Sequence, residues 1–182
     1  MSVLAVIALH AADSGRNRNI ALSGILAGLT LVLLYFKSIS PVMDLTLYFI
    51  ISIIPAIVLI ETKAGTAWLF FTATSLLSLL FPVNKLALLY YYTFFGYYGI
   101  VKYIVEKRFG LMKGLVLKLL VFIPSLLVNY YLAAEFIPAN AVNIFGLPLL
   151  IVIASIVFFV YDYIYSLVVR YYENVISKRL RR

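Results

Sequence analysis

"LPLLIVIASIVFFVYDYIYSLVVR", residues 147–170, carries a single acidic side chain, Asp162, and one basic side chain, Arg170, at its very end. A helix of about 20 apolar residues crosses the hydrocarbon core of a bilayer. This run is long enough, and it lacks the period-2 alternation of an outer-membrane barrel strand. It therefore reads as a transmembrane helix. Five further runs of the same character precede it, at 20–36, 45–60, 64–81, 86–105 and 115–136. Pro55 and Pro124 lie inside the second and fifth of these as candidate kinks.

Composition agrees. Of 182 residues, 65% are hydrophobic and 12% charged, more apolar side chain than a soluble domain of this length can hide. The expected fold is all-α: a polytopic six-transmembrane-helix bundle over 20–170. Residues 1–19 form an N-terminal segment, interfacial or docked, and 171–182 a basic cytoplasmic tail. The division between the second and third spans is the least marked, and a hairpin that does not fully cross would leave four or five crossings.

Charge gives the orientation. With six crossings, Arg16, Arg18, Lys63, Lys107, Arg108, Lys113, Lys178, Arg179, Arg181 and Arg182 share one side, and Lys37 and Lys85 the other. The positive-inside rule then places both termini in the cytoplasm. The net charge of +8 is thus a topology signal, and no basic patch with interleaved aromatics points to nucleic acid. The expected location is a prokaryotic plasma membrane, multi-pass, with the lipid bilayer as partner.

Enzyme signals are missing. There is no cysteine and one histidine, His10, so a Cys- or His-based metal site is not expected. No GxSxG, HExxH or phosphate-binding GxxxxGKS occurs, and seven acidic residues offer few acid–base pairs. Neither a catalytic function nor a cofactor is expected.

Three constellations remain. Lys102 lies about 16 residues into the fourth span and Asp162 about 15 into the sixth from the same side, which at about 1.5 Å per residue puts them level. Intramembrane ionisable groups pair or face a cavity, so an ion pair or shared polar site is expected; the alternative is that Lys102 snorkels to the cytoplasmic interface. Lys118, one turn into the fifth span, reads as snorkelling, and Glu106 as an ordinary helix-end glutamate. On the first span, Gly24 and Gly28 form a GxxxG with Ser23 and Ala27 beside it. Such a face admits a close neighbour, either inside the bundle or in a partner protein. Thr74 and Ser78 repeat that spacing on the third span.

The third constellation lies on the outer side. Tyr90, Tyr91 and Tyr92 open the fourth span and Tyr130 and Tyr131 close the fifth. Tyrosines at both ends of spans suit an aromatic belt. Three consecutive tyrosines point three ways around a helix, however, so at least one of Tyr90–Tyr92 should face inward, as should Asn129. With Lys37, Asn84, Lys85, Glu135, Asn140 and Asn143 in the outer loops, these residues are candidate contacts of a small ligand.

The layout of six spans in about 180 residues, termini inside and small-residue motif on the first span, is similar to that of the substrate-binding S components of energy-coupling factor transporters. The segment "LLSLLFPVNKLALLYYYTFFGYYGIVKYIVEKR" looks like a stretch in uncharacterised S-component-like membrane proteins of Firmicutes. The resemblance implies a vitamin-like micronutrient bound near the outer face under the first, third and fifth loops. It also implies docking through Gly24, Ala27 and Gly28, and through the third span, onto a transmembrane scaffold subunit energised by ATPases. The third span departs from the family's alanine-spaced pattern, with Thr74 and Ser78 instead. The reading is thus a membrane-embedded small-ligand-binding subunit of an uptake transporter. Its rivals are a non-transporting subunit that anchors or regulates a partner membrane protein, and a lipid-handling protein or small channel lined by Lys102 and Asp162.

Overall fold

The computed structural model describes residues 3–39, 44–81, 84–134 and 147–178, and among the described residues every element is helical. Helix α1 spans Val3–Ile39, α2 Asp44–Glu61, α3 Ala64–Ser78, α4 Lys85–Tyr90, α5 Gly96–Arg108, α6 Leu111–Ala134 and α7 Leu147–Tyr171. A π-helical segment, Tyr91–Phe95, joins α4 to α5 without a break, and a second, Tyr172–Ser177, extends α7. Among the described residues these elements make six helical rods. Helix α1 runs without a break from Val3 through the N-terminal segment into the first apolar run. Three helical stretches, Asn17–Ile39, Lys113–Leu132 and Ile151–Ser177, are long and apolar enough to cross a membrane.

Helix α2 is apolar on every side, and such a helix needs burial on every side. It forms the axis of the bundle. Ile51, Ser52, Ile54, Pro55, Ala56, Val58 and Leu59 are all buried, with α1, α3, α5 and α7 packed around them. Helices α1, α6 and α7 instead expose rows of large apolar side chains, among them Ile25, Leu29, Leu120, Val152, Ile156 and Val160. Such rows are stable against lipid rather than water.

Close approach of α5 to α2 depends on Gly99. A Cβ there would collide with the Tyr165 hydroxyl and would lie 2.7 Å from Ser52 O and 3.2 Å from Ala56 Cβ. Gly96 is equally enclosed: a Cβ there would lie 2.5 Å from Phe71 Cε2 and 2.8 Å from Tyr91 O. Tyr165 exploits the gap, its hydroxyl donating to Ser52 O at 2.8 Å.

The glycines of α1 differ. A Cβ at Gly24 or Gly28 would meet nothing within 4 Å, whereas Ala27 packs on the cluster formed by Ile54, Val58, Leu59, Ala67, Phe70 and Ile100. The GxxxG therefore opens outward rather than onto another helix of the bundle.

Candidate functional site

The π-helical segment is where the site begins. The Gly96 N–H reaches back to Tyr91 O, widening the helix by one residue in that turn; such bulges re-aim side chains. Tyr90, Phe94 and Phe95 are turned toward α2, α6 and α7. Between them lies a cavity of about 430 Å³, within the size range of small-molecule sites. Leu45 and Tyr48 line it from α2, Phe122, Ser125, Leu126 and Asn129 from α6, and Ala154, Val157, Phe158 and Tyr161 from α7. Its walls carry two stacked ring pairs, Tyr48 on Phe95 at 4.6 Å and Phe122 on Phe158 at 4.3 Å between centroids.

The polar groups of the lining are mostly occupied by the protein itself. The Tyr48 hydroxyl donates to Ala87 O at 3.2 Å, and the Tyr161 hydroxyl meets Ser52 Oγ at 2.6 Å. Ser125 Oγ lies 2.7 Å from Thr93 O and 2.8 Å from Val121 O. Asn129, only 8% exposed, gives its amide hydrogens to Thr93 Oγ1 and Ser125 O, both at 2.7 Å. Its Oδ1 is buried with no hydrogen-bond partner.

Toward the Arg108 end of the bundle, rings close the cavity. Phe94, Tyr98, Phe158 and Tyr165 form one buried cluster with Ala56, and Tyr161 packs against it. Behind them lies a four-charge network. Lys102 Nζ donates to Asp162 Oδ1, to Asp162 O at 3.0 Å and to Glu106 Oε1 at 2.8 Å. Those three acceptors use all three hydrogens of an ammonium group, and the Tyr165 ring centroid lies 5.7 Å away. Lys118 Nζ donates to Asp162 Oδ2 at 2.5 Å and to Glu106 Oε1 at 3.0 Å. The Tyr98 hydroxyl donates to Asp162 Oδ1, and Ser166 Oγ to Asp162 O at 3.0 Å. Two ammonium groups face two carboxylates, so α5, α6 and α7 are tied by a set with no net charge. Buried ions are stable in that form and costly when one member is removed.

The structure thus brings Lys102 and Asp162 together and adds two residues that the sequence reading left out. Lys118 does not snorkel; it is 7% exposed and points into the bundle. Glu106, its side chain 38% exposed, bridges both lysines. Each carried a signal. Lys102 and Glu106 are four apart on one helix face. The turn between α5 and α6 is only Phe109–Gly110, which makes the two helices antiparallel neighbours and sets Lys118 and Lys102 at similar distances from it.

The remaining candidates divide. Tyr90 and Asn129 line the cavity. Tyr91 is fully buried, its hydroxyl 2.7 Å from Thr74 Oγ1, and the Tyr92 hydroxyl lies 2.7 Å from Ser78 Oγ. Thr74 and Ser78, expected on a partner-docking face, are therefore corrected: both are 0% exposed and held by tyrosines of the same chain. Asn84 caps α4, accepting from Leu86 N at 2.9 Å, and Lys85 is exposed. Lys37 stands over the Tyr48 ring at 5.3 Å without lining the cavity. Tyr130 packs edge-on to Tyr131 at 5.6 Å and does not line it either. Glu135, Asn140 and Asn143 lie outside the described residues.

No family model, no curated protein and no solved structure matches the chain.

Proposed function

We propose that this chain is a multi-pass membrane protein that binds a small, largely apolar molecule in the cavity between α2, α6 and α7. The single observation that carries this reading is the one-sidedness of the interior. A ring-lined cavity of about 430 Å³ is closed on one side by Tyr98, Tyr161 and Tyr165, with the charge network behind them. With six crossings and cytoplasmic termini, the cavity lies in the outer half of the membrane and the charge network in the cytoplasmic half. An interior of that form suits a receptor site open to one side. It argues against a small channel, because the rings interrupt any polar path through Lys102 and Asp162.

In the setting that the S-component resemblance implies, the bound molecule would be a micronutrient taken up with energy from partner ATPases. The open glycines of α1 favour a second element of the same reading: Gly24 and Gly28 leave room for a helix of a scaffold or partner subunit. Burial of Thr74 and Ser78 confines any such contact to α1.

Melting of the purified protein in the presence of fractionated, deproteinised cell extract tests the binding reading. A fraction containing the ligand at about 100 times its Kd stabilises the folded state by about 2.7 kcal/mol, an upward shift of several degrees. An unchanged melting temperature across all fractions contradicts the reading.

A further inference from the structure

Resting on the binding reading above, we propose that the cavity opens sideways into the membrane between α2 and α7 and takes the hydrocarbon tail of a membrane lipid, whose headgroup stays at the outer surface. The place of the opening is the first observation. The cavity is only partly enclosed. Of the described residues that wall it, two are exposed, Leu45 of α2 at 67% and Val157 of α7 at 49%. The opening therefore lies where those two helices face each other.

The way α2 and α7 meet accounts for the gap. Phe49 packs edge-on to Tyr161 at 5.5 Å between ring centroids. Ser52 Oγ lies 2.6 Å from the Tyr161 hydroxyl, and the Tyr165 hydroxyl donates to Ser52 O at 2.8 Å. Leu45 stands four residues before Phe49 and Val157 four before Tyr161, so each lies on the same helix face one turn further out. Both are exposed cavity walls there. The helices are joined at the Phe49–Tyr161 level and splayed beyond it.

Depth decides what the opening meets. Val157 is ten residues into α7, about 15 Å along its axis, in a helix long and apolar enough to cross a membrane. The hydrocarbon core is about 30 Å thick, so the medium at that depth is acyl chain. An unfilled apolar void forfeits dispersion contacts, and water does not enter it readily. Lipid tails are the apolar matter at hand. Ile153 and Val160, on the same stripe of α7 as Val157, are exposed too, so bulk lipid reaches the opening along an apolar surface.

The test is photolabelling of the full chain in lipid nanodiscs. The probe is a phosphatidylcholine with a diazirine midway along one acyl chain, and peptide mass spectrometry locates the adducts. Phe94 and Phe158 are buried walls of the cavity, whereas Leu120 and Val152 are exposed and report the surrounding lipid. The proposal predicts adducts on both pairs. In Ala154→Trp, whose side chain fills the cavity, adducts on Phe94 and Phe158 should be lost and those on Leu120 and Val152 kept. If Ala154→Trp does not fold, labelling of Phe94 and Phe158 in the native chain decides alone. Adducts confined to Leu120 and Val152 would overturn the inference. The binding reading would survive that result if the purified chain still carries a small molecule by native mass spectrometry. Interior labelling by a free fatty acid with the same diazirine, and not by the phosphatidylcholine, would overturn the membrane-anchored lipid as the occupant. Adducts on Phe94 and Phe158 that persist in folded Ala154→Trp would overturn the seat between α2 and α7.

Discussion

Tyr161 and Asp162 are consecutive in α7 and belong to two different assemblies. The Tyr161 ring lines the cavity, while the Asp162 carboxylate receives Lys102 on one oxygen and Lys118 on the other. One peptide bond therefore joins the apolar chamber to the charge network that fixes α5 and α6 against α7.

The network should behave as a unit. Lys102→Met leaves one ammonium facing two carboxylates, and breaking a buried set in this way costs about 3–5 kcal/mol. Asp162→Leu should cost a similar amount. In Lys102→Met/Asp162→Leu one charge of each sign remains, Lys118 with Glu106, so the double variant should recover part of the loss. Unfolding in mixed detergent measures all three. Strict additivity of the two single effects would show that the charges are not coupled.

Glycine positions should separate by their surroundings. Gly99→Ala drives a methyl into the Tyr165 hydroxyl and the Ser52 carbonyl, and overpacking of this kind costs about 1–3 kcal/mol. Gly24→Ala and Gly28→Ala meet open space and should stay within about 0.5 kcal/mol of the native chain. Melting temperatures of the three variants check the contrast. A drop at Gly28→Ala equal to that at Gly99→Ala would place α1 against another helix.

Thr74 and Tyr91 form an internal pair at 2.7 Å. Tyr91→Phe and Thr74→Val should each cost about 1 kcal/mol. The double variant should cost less than the sum, because neither partner is then left unmet. A double-mutant cycle with zero coupling energy would contradict this contact.

The chain has no cysteine, so single cysteines report membrane sidedness cleanly. With six crossings, Lys85→Cys should react with a membrane-impermeant maleimide in intact cells. Lys63→Cys and Lys178→Cys should react only after lysis. Reaction of Lys178→Cys from outside would remove the six-span topology.

The helices were legible because continuous apolar runs of this length have few other folded forms. Lys102 and Asp162 could be matched by depth alone, since rise per residue is fixed along a helix. What a run of apolar residues does not encode is its rotation: when every face is apolar, periodicity does not say which one turns inward. Thr74 and Ser78 thus read as a docking stripe, although their partners, Tyr91 and Tyr92, stand later in the same chain. The cavity was equally hidden, since its walls come from α2, α6, α7 and the rod formed by α4 and α5. Taken singly, Lys118 and Glu106 look like interface residues, whereas the two-residue turn between α5 and α6 folds Lys118 back to within 3.0 Å of Glu106 Oε1.

Native mass spectrometry of the purified chain beside Ala154→Trp, in the same detergent, addresses the binding claim most directly. The native chain should carry a small molecule in a defined mass increment, released on denaturation, and Ala154→Trp, folded and of similar melting temperature, should carry none. The same increment on both proteins, or none on either after exposure to cell extract, would contradict a ligand seated between α2, α6 and α7.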